Sequence, residues 1–272
     1  RTIYHYPEEV ELRDGKGFLK DGTEVEIVPS AKMSKSKNNV VDPVEIIKQF
    51  GADTARWFVL SDSPPERDVQ WTEEGVEGAW RFTQRFWRIV TGDPASLAAP
   101  GAPMPALDEA AEALHRTAHQ ILAALTAHIE ALQFNKAVAR IYELANAISA
   151  FKPQDEAAGK WVKREAVDML VQMAAPMMPH LAEESWQALG HETILAETPW
   201  PIADESLLVE DSVTLPVQVN GKRRDEVTVP RDADKAAVEQ AALGLEKVRN
   251  ALDGKTPKKV IVVPGRIVNV VV

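Results

Sequence analysis

The chain has 272 residues, 45% hydrophobic and 26% charged, a formal net charge of −10 and no cysteine. That length exceeds what one hydrophobic core usually fills and implies two or three domains. No apolar run approaches the roughly 20 residues of a helical membrane span, and the lack of cysteine excludes disulfides and thiolate zinc sites and agrees with a reducing cytoplasm.

The charge is uneven. Val213 to Val272 carries eleven Lys and Arg against seven Asp and Glu, net +4, whereas Arg1 to Ser212 carries 20 against 34, net −14. Such asymmetry fits a local anion-facing patch, and equally an acidic bundle with a mildly basic appendix. The chain opens Arg1-Thr2-Ile3-Tyr4 with no initiator Met, signal or transit pattern, so its first residue is expected to be an interior point of a longer protein.

In chain order, residues 1–29 alternate apolar and charged positions around Asp14-Gly15 and Asp21-Gly22, which predicts a short β-hairpin or meander. Asp42-Pro43-Val44-Glu45 supplies an N-cap acceptor, a proline at the first helical position and a carboxylate three residues after the cap, predicting a helix that stops near Gly51. Asp53 is read as the cap of a second short helix ending near Leu60. Ser63-Pro64-Pro65 breaks the chain, and Thr72 opens a helix whose Val76, Ala79, Thr83, Phe86, Trp87 and Val90 keep helical spacing.

Asp93 to Pro105 reads as a surface linker. Beyond it the spacing predicts helices over Leu107–Ala131, Asn135–Phe151 and Ala157–Met178 and a short one over His180–Leu189, together a bundle closed by Pro199-Trp200-Pro201. Val213–Val219, the turn Asn220-Gly221 and the return strand Val227–Val229 form a hairpin. A helix over Asp234–Leu252, a turn at Gly254 and a strand over Val260–Val263 complete a small α+β domain. The fold class is therefore mostly α.

The segment richest in chemistry is Lys32-Met33-Ser34-Lys35-Ser36-Lys37-Asn38-Asn39. Ammonium groups, two hydroxyls and two amides lie in eight residues between a predicted strand and a capped helix. Lysines act as point charges on phosphoryl oxygens while Ser and Asn add neutral donors, so such a loop suits a polyphosphate. A solvated basic loop is the plainer reading of a generic lysine-rich stretch.

Lys32 to Ser36 spells the KMSKS signature, continued by Asn38-Asn39-Val40-Val41-Asp42-Pro43, and on these residues the chain resembles the class I aminoacyl-tRNA synthetases. The resemblance implies that Lys35 is the principal ATP ligand, assisted by Lys32, both catalytic in amino-acid activation, with Ser34 and Ser36 shaping the loop and donating to phosphate. ATP with Mg2+ is then a substrate, and no structural cofactor or metal is implied. Gly51-Ala52-Asp53-Thr54-Ala55-Arg56, Ser63-Pro64-Pro65-Glu66, Trp71, Gly75-Val76-Glu77-Gly78-Ala79 and Arg81-Phe82 look like the stem-contact region and the first helix of the anticodon-binding domain in the leucyl branch. Phe134-Asn135-Lys136-Ala137 and Ala175 to Trp186 resemble the bundle shared by the Leu, Ile, Val and Met enzymes, with His180 a structural histidine.

Among those four, the Ile and Met types often carry cysteine zinc elements and the Val type ends in a coiled coil. Here Leu215 to Lys222 and Val263-Pro264-Gly265-Arg266 look instead like the compact C-terminal domain of bacterial leucyl enzymes. Two departures stand out: no H-x-G-H sequence occurs, and the leucine pocket and editing domain of the family are missing.

The implied organisation is a β-rich stretch over 1–30, signature loop and stem-contact helices over 31–71, an anticodon-binding domain over 72–200 and a tRNA-binding α+β domain over 201–272. The implied function is leucine activation and transfer to tRNA by a cytoplasmic monomer, with this segment inactive alone. A valyl or isoleucyl segment, or a tRNA-binding module without catalysis, is the alternative.

Arg81, Arg85 and Arg88 fall on one side of the helix that begins near Thr72, either a guanidinium stripe for a phosphate backbone or a solvated face. Lys222-Arg223-Arg224 and Lys258-Lys259 are the further tRNA candidates in the basic tail. Two motifs are set aside. Gly254-Lys255-Thr256 lacks the first glycine of a P-loop, and His115 and His119, spaced i, i+4, lack a following Glu and are read as exposed helix histidines.

Overall fold

A computed structural model describes residues 2–28, 31–208, 212–230 and 233–272. The chain forms two compact units, Arg1–Ala203 and Asp204–Val272. Among the described residues no helix is long and apolar enough to cross a membrane.

The first unit opens with an antiparallel meander, β1 (Val10–Arg13), β2 (Lys16–Leu19) and β3 (Glu24–Val25). Asp14 and Gly15 both take positive φ, 51° and 78°, the conformation a two-residue hairpin turn requires. Helix α1 (Pro43–Phe50) starts as its sequence dictates, the Asp42 carboxylate accepting from Val44 N–H at 2.8 Å with Pro43 in the first turn. It stops at Gly51, φ 88°. Helix α2 (Ala52–Asp62) follows. Helix α3 (Glu73–Thr91) is capped by Thr72, whose hydroxyl accepts from Gly75 N–H. Glycine is needed there because a Cβ would lie 2.5 Å from the Phe58 ring.

The bundle continues with α4 (Glu109–Glu130), α5 (Phe134–Ala150), α6 (Glu156–Ala174) and α7 (Pro179–Ala188), each within a few residues of the span its apolar spacing predicts. Their apolar faces merge with those of α2 and α3 into one core. At its centre the fully buried Trp57 stacks on Phe82 at 4.9 Å and donates its indole N–H to Tyr142 Oη at 3.1 Å. The 93–105 stretch, expected as a surface linker, is instead fastened to α6. Leu97 packs on the core, Ala98 N–H donates to Lys160 O, and Trp161 Nε1–H donates to Ala102 O at 3.0 Å.

Asp53 corrects its sequence reading. It makes no cap for its own helix, whose N-cap is Gly51. Its Oδ2 accepts from Leu181 N–H at 2.7 Å, satisfying the N-terminus of α7, and its Oδ1 accepts from Arg56 at 2.9 Å. Asp53 is buried, so removing it leaves an unpaired amide away from water. Asp53→Ala is expected to lower stability by about 1–2 kcal/mol and Asp53→Asn, which keeps an acceptor, by clearly less. Thermal melts of the three proteins check this; equal melting temperatures would refute the cap.

The second unit comprises α8 (Glu205–Leu208), β4 (Ser212–Val219), β5 (Lys222–Pro230), α9 (Lys235–Gly244), α10 (Glu246–Leu252), β6 (Lys259–Val263) and β7 (Ile267–Val271). The sheet order is β5-β4-β7-β6, with β4 and β7 parallel and the other pairs antiparallel. Asn220 and Gly221, at φ 49° and 77°, turn β4 into β5. Leu215, Val217, Val219, Val227, Val229, Val268 and Val270 bury one side of the sheet against Val238 and Ala242 of α9 and Val248 and Leu252 of α10. The single helix expected over Asp234–Leu252 is two, because Leu245 adopts an extended conformation at ψ 133°. Strand β7 lies beyond the elements that the spacing predicts.

Candidate functional site

The lysine loop is a built structure. Ser34 is extended, Lys35–Lys37 form one 3-10 turn, and Asn38 closes it in the left-handed conformation at φ 51°, which Asn tolerates far better than bulky residues. Asn39 draws the two ends together. Its Oδ1 accepts from Ser34 N–H at 2.7 Å, and its Nδ2 donates to the carbonyls of Ala31 and Lys32, each at 3.4 Å. Asn38 Nδ2 donates to Tyr4 O at 2.9 Å, tying the loop to the start of the chain. The two amides expected as phosphate donors are thus engaged in holding the loop, and Asn38 and Asn39 are positioning residues. The signal for that role is a left-handed-tolerant Asn next to a second Asn at the loop's exit.

What remains presented is cationic. Lys32 and Lys35 are exposed, and among the described residues none of the ion pairs involves Lys32, Lys35 or Lys37. Ser34 Oγ and Ser36 Oγ lie 2.9 Å apart; one hydroxyl proton serves the other oxygen, leaving one donor and several lone pairs for a ligand. Ammonium groups with no ion pair among the described residues, on a loop preshaped by its own amides, suit a polyanion.

The arginine stripe holds only in part. Arg81 and Arg88 are exposed on α3, Arg81 within 3.5 Å of Glu77. Arg85 instead bolts α3 to α5, donating to Asn146 Oδ1 at 2.8 Å, Ala145 O at 3.1 Å and Ser149 Oγ at 3.0 Å. In the second unit Lys222, Arg223 and Arg224 open β5 and are exposed, Arg223 paired with Glu226. Lys258 precedes β6 and Lys259 begins it, on the opposite edge of the sheet. The register nevertheless sets them at one end, since Lys222 pairs with Val219, Val219 with Val270, and Lys259 with Val271. Three strand spacings, about 14 Å, separate the two basic groups.

Two histidine readings change. His180, expected to be structural, has a side chain 73% exposed, its Nδ1 3.7 Å from Asp53 Oδ1. His115 and His119, expected to be exposed, turn inward: His119 is buried and both Nε2 atoms face Glu165 of α6. Sequence spacing on α4 could not reveal a partner some fifty residues later.

The described geometry is a preshaped lysine loop that leads through short helices into an α-bundle. A family model for class I tRNA synthetases (I, L, M and V) matches residues 28–72, and one for the anticodon-binding domain of tRNA ligases matches residues 111–240. Over these two stretches the chain is similar to class I tRNA synthetases and to their anticodon-binding domain. Its curated relatives are leucine–tRNA ligases: that of Parvibaculum lavamentivorans is 61% identical over 97% of this chain and 31% of the relative, and that of Jannaschia sp. is 54% identical over 100% and 31%. The chain therefore spans about a third of the length of these relatives.

Among solved structures, the Agrobacterium radiobacter K84 agnB2 LeuRS–tRNA–LeuAMS ternary complex superposes with a TM-score of 0.71 at 28% identity, covering 88% of this chain and 31% of that one. Mycobacterium tuberculosis methionyl-tRNA synthetase bound by methionyl-adenylate shares the fold, with a TM-score of 0.50 at 22% identity over 59% of this chain and 36% of that one. The mostly α fold with its bundle and small α+β unit is thereby borne out.

Proposed function

We propose that this chain is the C-terminal part of a leucine–tRNA ligase, an enzyme that activates leucine with ATP and esterifies it to tRNA. The observation that carries this is the loop over 32–39, cinched by Asn39 with Lys32 and Lys35 presented to solvent. Lys35, with Lys32 beside it, neutralises the triphosphate of Mg2+-bound ATP as pyrophosphate departs, and Ser34 and Ser36 supply the neutral contacts. Residues 31–71 join the loop to stem-contact helices, 72–200 form the anticodon-binding domain and 201–272 the C-terminal tRNA-binding domain. Arg81 and Arg88 on α3, and Lys222, Arg224, Lys258 and Lys259 at one end of the second sheet, face tRNA phosphates. Arg85 and Arg223, already engaged within the chain, contribute less. The protein acts as a cytoplasmic monomer.

The chain by itself catalyses no ATP–pyrophosphate exchange, because it contains no H-x-G-H sequence to seat the adenine side. It does bind tRNA. The Lys222→Ala/Arg224→Ala double variant is expected to weaken that binding by a similar factor for leucine-accepting and unrelated tRNA, and to flatten the dependence of log affinity on log salt by about 1.5–2. Filter binding at several salt concentrations measures both. Unchanged affinity and slope would remove the second unit from the tRNA interface, and exchange by the isolated chain would overturn the division of labour.

A further inference from the structure

We infer that His115, His119 and Glu165 form a divalent transition-metal site joining α4 to α6, separate from the lysine loop and from the basic surfaces. One ligand atom from each lies within 4.8 Å of the others. Nε2 of His115 is 3.3 Å from Glu165 Oε2, and Nε2 of His119 is 3.4 Å from Glu165 Oε1. A tetrahedral ion with bonds of roughly 2.0–2.1 Å holds neighbouring ligand atoms about 3.3–3.4 Å apart, so each histidine-to-carboxylate spacing matches an edge of such a site, and the whole group of ligand atoms lies within 4.8 Å. The two histidines are one helical turn apart, and their rings meet edge to face at 4.8 Å and 79°, which brings both Nε2 atoms to one carboxylate. Trp161 packs edge-on against His115 at 5.5 Å and fixes its ring.

Burial sharpens the argument. The side chains of His115, His119 and Glu165 are 13%, 7% and 22% exposed. Glu165 Oε2 is buried and, among the described residues, receives no hydrogen bond, although His115 Nε2 stands 3.3 Å away. A carboxylate oxygen out of water without a donor is costly; a cation placed among the three atoms satisfies it. Two imidazoles and one carboxylate select zinc or cobalt over magnesium or calcium, which take oxygen ligands. Three protein ligands leave the fourth position to water. Bound metal would clamp α4 to α6 and stabilise the bundle by mass action.

The test uses the full 272-residue chain stripped with a chelator, with Co2+ as optical probe and Zn2+ as competitor. The expected result is one equivalent of Co2+ giving the visible absorption of a four-coordinate ion, displaced by Zn2+, and a melting temperature raised by Zn2+. In Glu165→Gln and in His115→Gln, the less buried histidine, Co2+ affinity falls at least about tenfold and the Zn2+ effect on melting disappears, while the far-ultraviolet dichroism stays that of the parent. Absence of saturable binding, or binding unaltered in both folded variants, would overturn the site and leave the three side chains as a proton-bridged ion pair. No readout uses ATP or tRNA, so the result is independent of the function proposed above.

Discussion

If the chain is the ligase segment proposed above, Lys35→Ala in the full-length protein is expected to lower the rate of ATP–pyrophosphate exchange by about 10²–10³-fold, while the KM for leucine moves little. The expectation rests on where charge builds up. In the proposed activation step, negative charge grows on the phosphate chain as the leucine carboxylate attacks and pyrophosphate leaves, and a donor aimed there stabilises the transition state more than the ground state. Loss of one such group from a preorganised site costs about 3–4 kcal/mol. Lys35 sits in the 3-10 turn whose start is pinned by Asn39 through Ser34 N–H, so the backbone that carries it is held by the loop itself. Lys32 lies outside that turn, and Lys32→Ala is expected to cost less. Adenylate formation at parental rate in Lys35→Ala would remove the loop from catalysis.

The largest expected effect on stability is at Trp57. Trp57→Ala should cost about 3–5 kcal/mol, as for other buried aromatic truncations, and lower the melting temperature of the bundle by about 6–20 °C at its size. The indole is wholly buried, stacked on Phe82 with an interplanar angle of 13° and tilted against Tyr142 at 5.7 Å. Truncation also orphans a hydroxyl. Burial pushes the Tyr142 hydroxyl above the usual phenol range, so near neutral pH it stays protonated, with its oxygen free to accept the indole N–H. Trp57→Phe preserves an aromatic stack and loses the hydrogen bond, so its cost should be smaller. Calorimetry on the pair separates the two contributions; equal melting temperatures for Trp57→Ala and parent would contradict the packing.

Elements whose causes are local were legible in the sequence. The caps at Asp42 and Thr72, the Asp14-Gly15 and Asn220-Gly221 turns and the apolar spacing of α3 to α7 each follow from residues within a few positions, and the structure has them where expected. Features set by distant partners were not. Asp53 has the sequence appearance of an N-cap, yet its acceptor serves a helix 128 residues on. Arg85 shares a helix side with Arg81 and Arg88, but only the packing of α5 makes it a fastener. The β7 run Ile267–Val271 pairs in parallel with β4, a contact no alternation within the run announces. In the lysine loop the charged residues could be read directly, whereas the roles of Asn38 and Asn39 depend on backbone conformation.

The tie between Asp53 and Leu181, and that between Trp57 and Tyr142, have a consequence for the order in which the protein takes shape as it is made. At roughly 5–20 residues per second, the ribosome needs about 6–26 s after Asp53 to deliver Leu181, and about 4–17 s after Trp57 to deliver Tyr142. Until then α2 has its indole N–H without the hydroxyl, and its carboxylate without the amide, that they later engage. The helices that follow the lysine loop are therefore made well before the partners that complete them, and a nascent chain stalled before Tyr142 carries α2 without the hydroxyl that accepts the Trp57 indole N–H.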